Sequence, residues 1–382
     1  MEKLVKNTQK PSFDLTFLDG LRGFSALYVV IGHARWLLWE GYTSFQNHAG
    51  NTNLLYKIQV YFWSFFKFGH QAVLFFFILS GFLIHLKYSR IILSDPKFKF
   101  DFEKYFTRRA KRIFPPLLFA LILTLVLDYS GGQIFYFSKI YAGQTPYPLI
   151  NNNISNNGLS FIMFFQNLCF LMPFYVKAFG TNGPLWSLGY EWWFYIFYPI
   201  FYYLTRKSLI LSTIIMVLLW GASFYPAYWP ATIFPAVFSM MLAWWFGALL
   251  ADVYTGRINV AFKNLIPLVL LLPLSISSTI KSDNINDILT ALGFIGLVSC
   301  FFMLKEQGRE FAIFNKFKWL GDCSYSLYVT HFPILVIISG YLIQNNEYLP
   351  ANFFIFYGAV AFAVLFAWAV HFLIEKPFVK KR

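Results

Sequence analysis

Charge is scarce in this chain: Asp, Glu, Lys and Arg make up 13% of its 382 residues. Soluble domains carry about a quarter charged residues, so this scarcity excludes both a soluble globular enzyme and a disordered chain. Cysteine is nearly absent. Cys169, Cys300 and Cys323 lie in or beside apolar segments with no CxxC spacing, which excludes a disulfide framework and a zinc knuckle and leaves small buried hydrophobes. None of the six histidines stands at metal-ligand spacing from another, and there is no GxSxG elbow, no Walker-type phosphate loop and no HExxH. Serine hydrolysis, ATP-driven transport and metal catalysis lose their signatures, so no metal is expected. The sequence also lacks internal repeats, low-complexity segments and an appended soluble domain. The apolar run that follows its polar first sixteen residues meets no small-residue cleavage site, so an uncleaved first span is expected.

What the chain does have is apolar bulk: 58% hydrophobic residues, 22% aromatic, and a mean hydropathy of +0.55. That composition predicts an all-α polytopic membrane protein. A membrane helix needs about 20 apolar residues at roughly 1.5 Å each. Ten such segments are found, near 17–39, 69–88, 112–129, 185–204, 208–225, 231–252, 262–280, 286–304, 323–343 and 351–375. An even number places both termini on one side, the cytoplasmic side by the distribution of basic residues. Segments assigned inside carry 24 Lys or Arg, including Lys3, Lys6 and Lys10, nine from Lys87 to Arg112 and four from Lys376 to Arg382. Those assigned outside carry five: Lys57, Lys67, Lys139, Lys177 and Lys281. This asymmetry is the topology signal of a multi-pass protein of the cytoplasmic (inner) membrane. It also accounts for the net charge of +14 without nucleic acid, so the expected surroundings are membrane lipids. The chain reads as one domain, 1–382. Its longest outer loop, 130–184, contains the polar stretch NNNISNNG and the apolar run from Leu159 to Tyr175. That run carries Gln166 and Asn167 at its centre, and a crossing there would reverse the charge asymmetry, so a re-entrant or interfacial helix is expected.

Ionisable groups inside a span cost roughly 2.5–3.5 kcal/mol on insertion scales and are functional candidates. Arg22, His33, Glu191, His331 and Glu375 qualify. Arg22 and His33, eleven residues apart, project from nearly one face of the first helix, roughly 16 Å apart. Asp19, three residues before Arg22, is placed to pair with it. These residues fit either a chemical stripe or an inner-interface anchor with a core hydrogen-bonder. Glu191 and His33 both fall roughly 10 Å from the outer boundary, which suits either a carboxylate-supported general base or a buried structural pair. The run FTRRAKRIFPP places Arg109 and Arg112 just before Pro115 and Pro116. Read as a helix start, it offers guanidiniums and backbone N–H groups to a phosphate, or else stop-transfer charge to anionic lipid. His331 lies near mid-span before Pro333. His371 and Glu375, four apart, read as an interfacial anchor. Ser80 before Gly81 suits close helix packing more than nucleophilic attack.

Six segments together, LDGLRGFSALYVVIGHA, FFFILSGFLI, RRAKRIFPP, GPLWSLGYEWWFY, YSLYVTHFPI and the terminal EKP, resemble the acyltransferase-3 family of integral membrane acyltransferases in that family's order. The resemblance covers nearly the whole chain. It implies a ten-helix enzyme taking an acyl group, usually acetyl, from cytosolic acyl-CoA to a hydroxyl of a carbohydrate or other acceptor across the membrane. Such an enzyme transfers acyl groups other than amino-acyl groups. By position the resemblance implies His33 and Glu191 as catalytic residues and Arg22, Arg109 and Arg112 as the acyl-CoA site; Asp19, Ser80, His331 and Glu375 stand, from their own positions in the spans, as substrate or structural candidates. The acceptor expected is a cell-surface glycan such as an O-antigen or exopolysaccharide unit, on a lipid carrier or free. Many members read Glu-Glu-Gln-Phe-Tyr where this chain has Glu191, Trp192, Trp193, Phe194 and Tyr195, so a second carboxylate is missing. Some relatives carry a C-terminal esterase-like domain; this sequence ends at Arg382 without one, as a stand-alone form would. A transporter or flippase for a glycolipid or anionic solute is the rival reading of the same buried charges, and a membrane scaffold is a third.

Overall fold

The computed structural model describes residues 13–95, 97–154, 158–277, 280–346 and 348–378. Lys3, Lys6, Lys10, Lys380, Lys381, Arg382 and residues 155–157 of the polar outer stretch lie outside the described residues. Among the described residues all regular secondary structure is helical. Ten principal helices take the places of the ten expected segments: α1 (Thr16–Leu37), α2 (Gly69–Ser94), α3 (Phe102–Ile134), α4 (Trp186–Lys207), α5 (Leu209–Ala222), α6 (Ile233–Thr255), α7 (Phe262–Ser275), α8 (Asp283–Glu306), α9 (Ser324–Asn346) and α10 (Phe354–Glu375).

Six of them, α2, α3, α6, α8, α9 and α10, are long and apolar enough to cross a membrane. The other four fall short for two different reasons. Helices α1 and α4 have the length, 22 residues each, but carry Asp19, Arg22 and Arg35, and Glu191, Arg206 and Lys207. Helices α5 and α7 are apolar but short. The protein is thus an all-α, multi-pass membrane protein, and the two charge-bearing helices α1 and α4 hold Asp19, Arg22, His33 and Glu191.

The described residues form two compact units. One takes in the chain up to Leu18, Val73–Phe102 and Trp193–Lys316; the other takes in Asp19–Ala72, Glu103–Trp192 and the chain from Phe317. In the first unit α6 packs against α5 and α8, and α8 against α7. Glycines set the closest crossing there. A Cβ on Gly247 of α6 would collide with the Ile78 carbonyl of α2, and one on Gly81 with the Trp244 carbonyl of α6. Each small residue lets the opposite backbone approach, which is how membrane helices gain contact without a hydrophobic driving force. The SGF motif is therefore a packing device here.

In the second unit α9 packs against α10, and α1 lies beside the start of α9 through a second glycine pair. A Cβ on Gly23 would meet the Gly321 backbone, and one on Gly321 the Asp19 carbonyl. The Tyr28 hydroxyl donates to the Phe65 carbonyl, and Gly32 leaves room for the Phe66 carbonyl.

The outer loop enters this unit. Its later part opens with the short helix Phe161–Leu168, whose Phe161, Ile162 and Phe165 are exposed. Phe170, fully buried, then lies parallel to the Trp192 ring at 4.8 Å and edge-on to Phe114 of α3 at 5.2 Å. On its return, Thr181 donates to Asp128 through backbone (2.6 Å) and hydroxyl (2.8 Å), and Asn182 reaches Thr124. Phe114 and Thr124 are ten residues apart on α3, roughly 15 Å along its axis. The loop thus reaches far down the helix and comes back.

Helix α3 corrects one expectation. It starts at Phe102, so RRAKR lies inside it and Pro115 and Pro116 are internal, not initial. No helix N-terminus stands at Arg109 and Arg112. The prolines instead leave the Lys111 and Arg112 carbonyls without their helical donors, because a proline has no N–H to give the residue four before it.

Overpacking a tight crossing costs about 1–3 kcal/mol. Gly247→Val is therefore expected to lower the thermal midpoint of the detergent-solubilised protein, whereas Gly358→Val, with nothing within 4 Å of its added Cβ, leaves it in place. Size-exclusion profiles after stepwise heating measure both.

Candidate active site

Two imidazoles form the centre of the second unit. His33 Nδ1 lies 2.8 Å from His331 Nε2, with the rings parallel within 3° and 5.2 Å between centroids. His331 is fully buried and its Nδ1 lies 3.0 Å from the Leu327 carbonyl. A carbonyl only accepts, so His331 Nδ1 carries the proton and donates it. A neutral imidazole then has a lone pair on Nε2, which accepts from His33 Nδ1–H. The same rule leaves His33 Nε2 with its lone pair. The network thus assigns both tautomers from one backbone carbonyl. His33 is half-buried, with Phe332 and Trp36 edge-on at 5.1 and 5.9 Å.

This is the arrangement a general base or nucleophile needs: an imidazole oriented through one nitrogen and available at the other. The second group is a histidine rather than the carboxylate anticipated for it. Glu191 sits on α4 within electrostatic reach of the buried Tyr328, whose ring is 6.0 Å from that of His331. Tyr328 donates to the Pro184 carbonyl at 3.0 Å and accepts from Ser187 at 2.8 Å.

Arg22 faces the first turn of α9. Its Nε donates to Ser324 Oγ at 3.1 Å, its Nη2 to the Gly321 carbonyl at 2.5 Å, and its Nη1 lies 3.3 Å from Asp19. Ser324 and His331 are seven residues apart, two turns along α9, while Arg22 and His33 are three turns apart along α1. The helices therefore run side by side in the same direction, pinned at both levels. Beside Ser324, the Tyr325 hydroxyl donates to the Ile113 carbonyl of α3 at 3.2 Å. That contact sits one residue beyond Arg112. Arg109 and Arg112 are half-buried, with the Arg109 guanidinium 5.7 Å from the Tyr105 ring centre, while Arg108 and Lys111 are exposed. Their three-residue spacing puts the chosen pair on one helical face and the other two outside it.

Glu375 and Ser80 remain. Glu375, 4% exposed, accepts from Ser326 of α9 at 2.7 Å and is 3.0 Å from His371 Nδ1. A π-helical turn spans His371–Glu375, and the carboxylate lies on α9. Ser80 lies 3.4 Å from the Tyr195 hydroxyl in the other unit. That unit also holds a buried cluster the sequence reading passed over. His85 meets Tyr198 at 2.9 Å and Asp252 at 3.1 Å; Asp252 accepts from Ser89 and pairs with Arg257 at 3.2 Å. The intramembrane-charge rule that selected His33 applies equally to His85.

The acyltransferase domain family matches residues 15–371. The chain belongs to the acyltransferase-3 family. YrhL of Bacillus subtilis is 23% identical over 406 residues, covering 94% of this chain and 54% of that protein. The O-acetyltransferase OatA of Staphylococcus aureus is 24% identical over 423 residues, 99% of this chain and 59% of that one. The peptidoglycan O-acetyltransferase OatA of Listeria monocytogenes is 22% identical over 313 residues, 71% and 46% of the two chains. The chain spans between about half and three fifths of the length of these curated relatives. No solved structure matches it. Among acyltransferase-3 sequences the missing second acid now has a physical setting: Trp192 occupies that position, and its ring lies against Phe170.

Lysine cannot reproduce three divergent guanidinium donors. Arg22→Lys is expected to destabilise the protein by about 1–3 kcal/mol through unpaired buried acceptors, read as a lowered midpoint in thermal unfolding. Lys57→Arg, far from this contact, serves as the unchanged reference.

Proposed function

We propose that this chain is a membrane O-acyltransferase that moves an acyl group, acetyl in the simplest case, from cytosolic acyl-CoA to a hydroxyl of a cell-surface carbohydrate outside the cytoplasmic membrane. The observation that carries this reading is the His33 Nε2 lone pair, fixed by His331 and the Leu327 carbonyl. Family membership supports acyl transfer, and the names of the relatives in Staphylococcus and Listeria support an oxygen acceptor. The excess of basic residues on the segments assigned inside supports a cytoplasmic entrance for the donor.

In this mechanism Arg109 and Arg112 hold the CoA phosphates through charge-assisted hydrogen bonds, and the thioester lies against His33. The acceptor oxygen attacks the thioester carbonyl while His33 Nε2 takes its proton. The new C–O bond forms, the C–S bond breaks, and the proton passes from Nε2 to the departing thiolate. The same lone pair also permits a covalent route. Nε2 then bonds to the acyl carbon as the C–S bond breaks and His331 Nε2 takes the Nδ1 proton. The alcohol oxygen next bonds to that carbon as the C–N bond breaks, His331 returns the proton to Nδ1, and the proton the alcohol releases to water balances the one the departed thiolate takes up. Thiol release from acyl-CoA without acceptor separates the two, since only the covalent route gives a stoichiometric burst.

His33→Ala is expected to abolish transfer in protein that still inserts, and full activity in that variant would end the proposal. His331→Ala is expected to lower kcat by roughly 100-fold or more, the ordinary scale of an oriented base, with little change in KM for acyl-CoA. Arg109→Ala is expected to raise the KM for acyl-CoA and leave that for the acceptor unchanged. The assays are thiol release from acetyl-CoA in vesicles and the mass shift of surface polysaccharide before and after mild alkali.

A further inference from the structure

Pro333 lies inside α9. With no N–H, it leaves the Val329 carbonyl, four residues earlier, without its helical donor. His331 occupies the middle of that interrupted turn, and the Leu327 carbonyl that sets its tautomer lies two residues before it. A buried carbonyl without a donor destabilises the turn around it. The structure supplies a donor from elsewhere in the chain: Asn182 Nδ2, on the returning limb of the outer loop, lies 2.9 Å from the Val329 carbonyl.

The amide orientation is fixed by its surroundings. Asn182 Nδ2 also meets Thr124 Oγ1 at 3.1 Å, and that hydroxyl donates its own proton to the Ala120 carbonyl at 2.7 Å. Both neighbours of the Asn182 nitrogen can therefore only accept. A flipped amide would set an oxygen against two acceptors. Asn182 is fully buried, and its Oδ1 has no partner among the described residues. The side chain is held for its two N–H donors, at the expense of its carbonyl.

We propose that Asn182 is a positioning residue for the His33–His331 pair: its side-chain amide replaces the backbone N–H that Pro333 lacks, and so holds the turn that fixes the His331 ring. It acts through α9 and touches no reacting atom. The kinetic consequence rests on the acyl-transfer reading; the effect on the histidine rings does not.

The test uses the full chain in detergent micelles, labelled with ¹⁵N-histidine, whose ring-nitrogen shifts separate protonated from bare nitrogens. His331→Ala identifies the His331 signals. In the wild type His331 is expected as a single tautomer with Nδ1 protonated. Asn182→Ala is expected to give a mixture, with kcat lowered about tenfold and both KM values within about twofold, since an orphaned carbonyl has a cost of this order. Adding Pro333→Ala to Asn182→Ala gives the Val329 carbonyl an N–H of its own, and is expected to restore the single tautomer and most of the lost kcat. Three results would overturn the proposal: a wild-type tautomer in Asn182→Ala, an acceptor KM raised with kcat unchanged, or a double variant no better than the single one. If Asn182→Ala does not accumulate, Asn182→Ser, which keeps one donor, is read in the same way and is expected between wild type and the mixture. Loss of transfer with unaltered ring shifts would count against the positioning role alone, whereas altered shifts with no acyl transfer in the wild type would count against the enzyme reading alone.

Discussion

The hydrogen bond from His33 to His331 sets the terms for the unit around it. Such a bond fixes a proton on one nitrogen and a lone pair on the other, and it holds only while two helices keep their register to a fraction of an ångström. Helices α1 and α9 keep it with contacts at both ends. Gly23 and Gly321 allow the backbones to touch, Arg22 ties three groups together at that level, and the imidazoles meet two turns higher along α9. Each contact is weak beside the entropy of two loose helices. Together they leave one arrangement.

Proline contributes in an uncommon way. Pro115, Pro116 and Pro333 all stand inside helices, and each withdraws an N–H from a carbonyl that must then find a donor or face the interior bare. In α9 the bereft carbonyl is met by the outer loop. In α3 the two bereft carbonyls belong to Lys111 and Arg112, on the basic stretch itself. Irregular backbone at membrane depth is tolerated only where protein or water satisfies it, so these prolines mark places where the chain departs from a plain span for a purpose.

The relatives sharpen this picture through what differs. At 22–24% identity most lipid-facing positions are free to change, since one apolar side chain serves a bilayer as well as another. Trp192 is a departure inside a motif. An acid there in many family members is an indole here, packed on Phe170, which leaves Glu191 as the one acid of that motif.

Composition and apolar run length were enough to determine an all-α membrane protein, because burial in lipid demands apolar length and closed backbone hydrogen bonds whatever the fold. They also marked Arg22, His33, Glu191, His331 and Glu375, since a charge in an apolar run is visible without coordinates. Which of these meet was decided only by tertiary structure. Equal depth suggested Glu191 for His33, but depth is one coordinate of three, and the azimuth of each helix is set by packing at glycines the sequence does not rank. The same holds for Glu375, turned onto α9 by a π-helical turn, and for RRAKR, absorbed into α3 with Pro115 and Pro116 internal to the helix. Asn182 gave no signal at all: a polar residue before Gly-Pro reads as a turn, and only the folded chain brings its amide to the carbonyl that Pro333 leaves open.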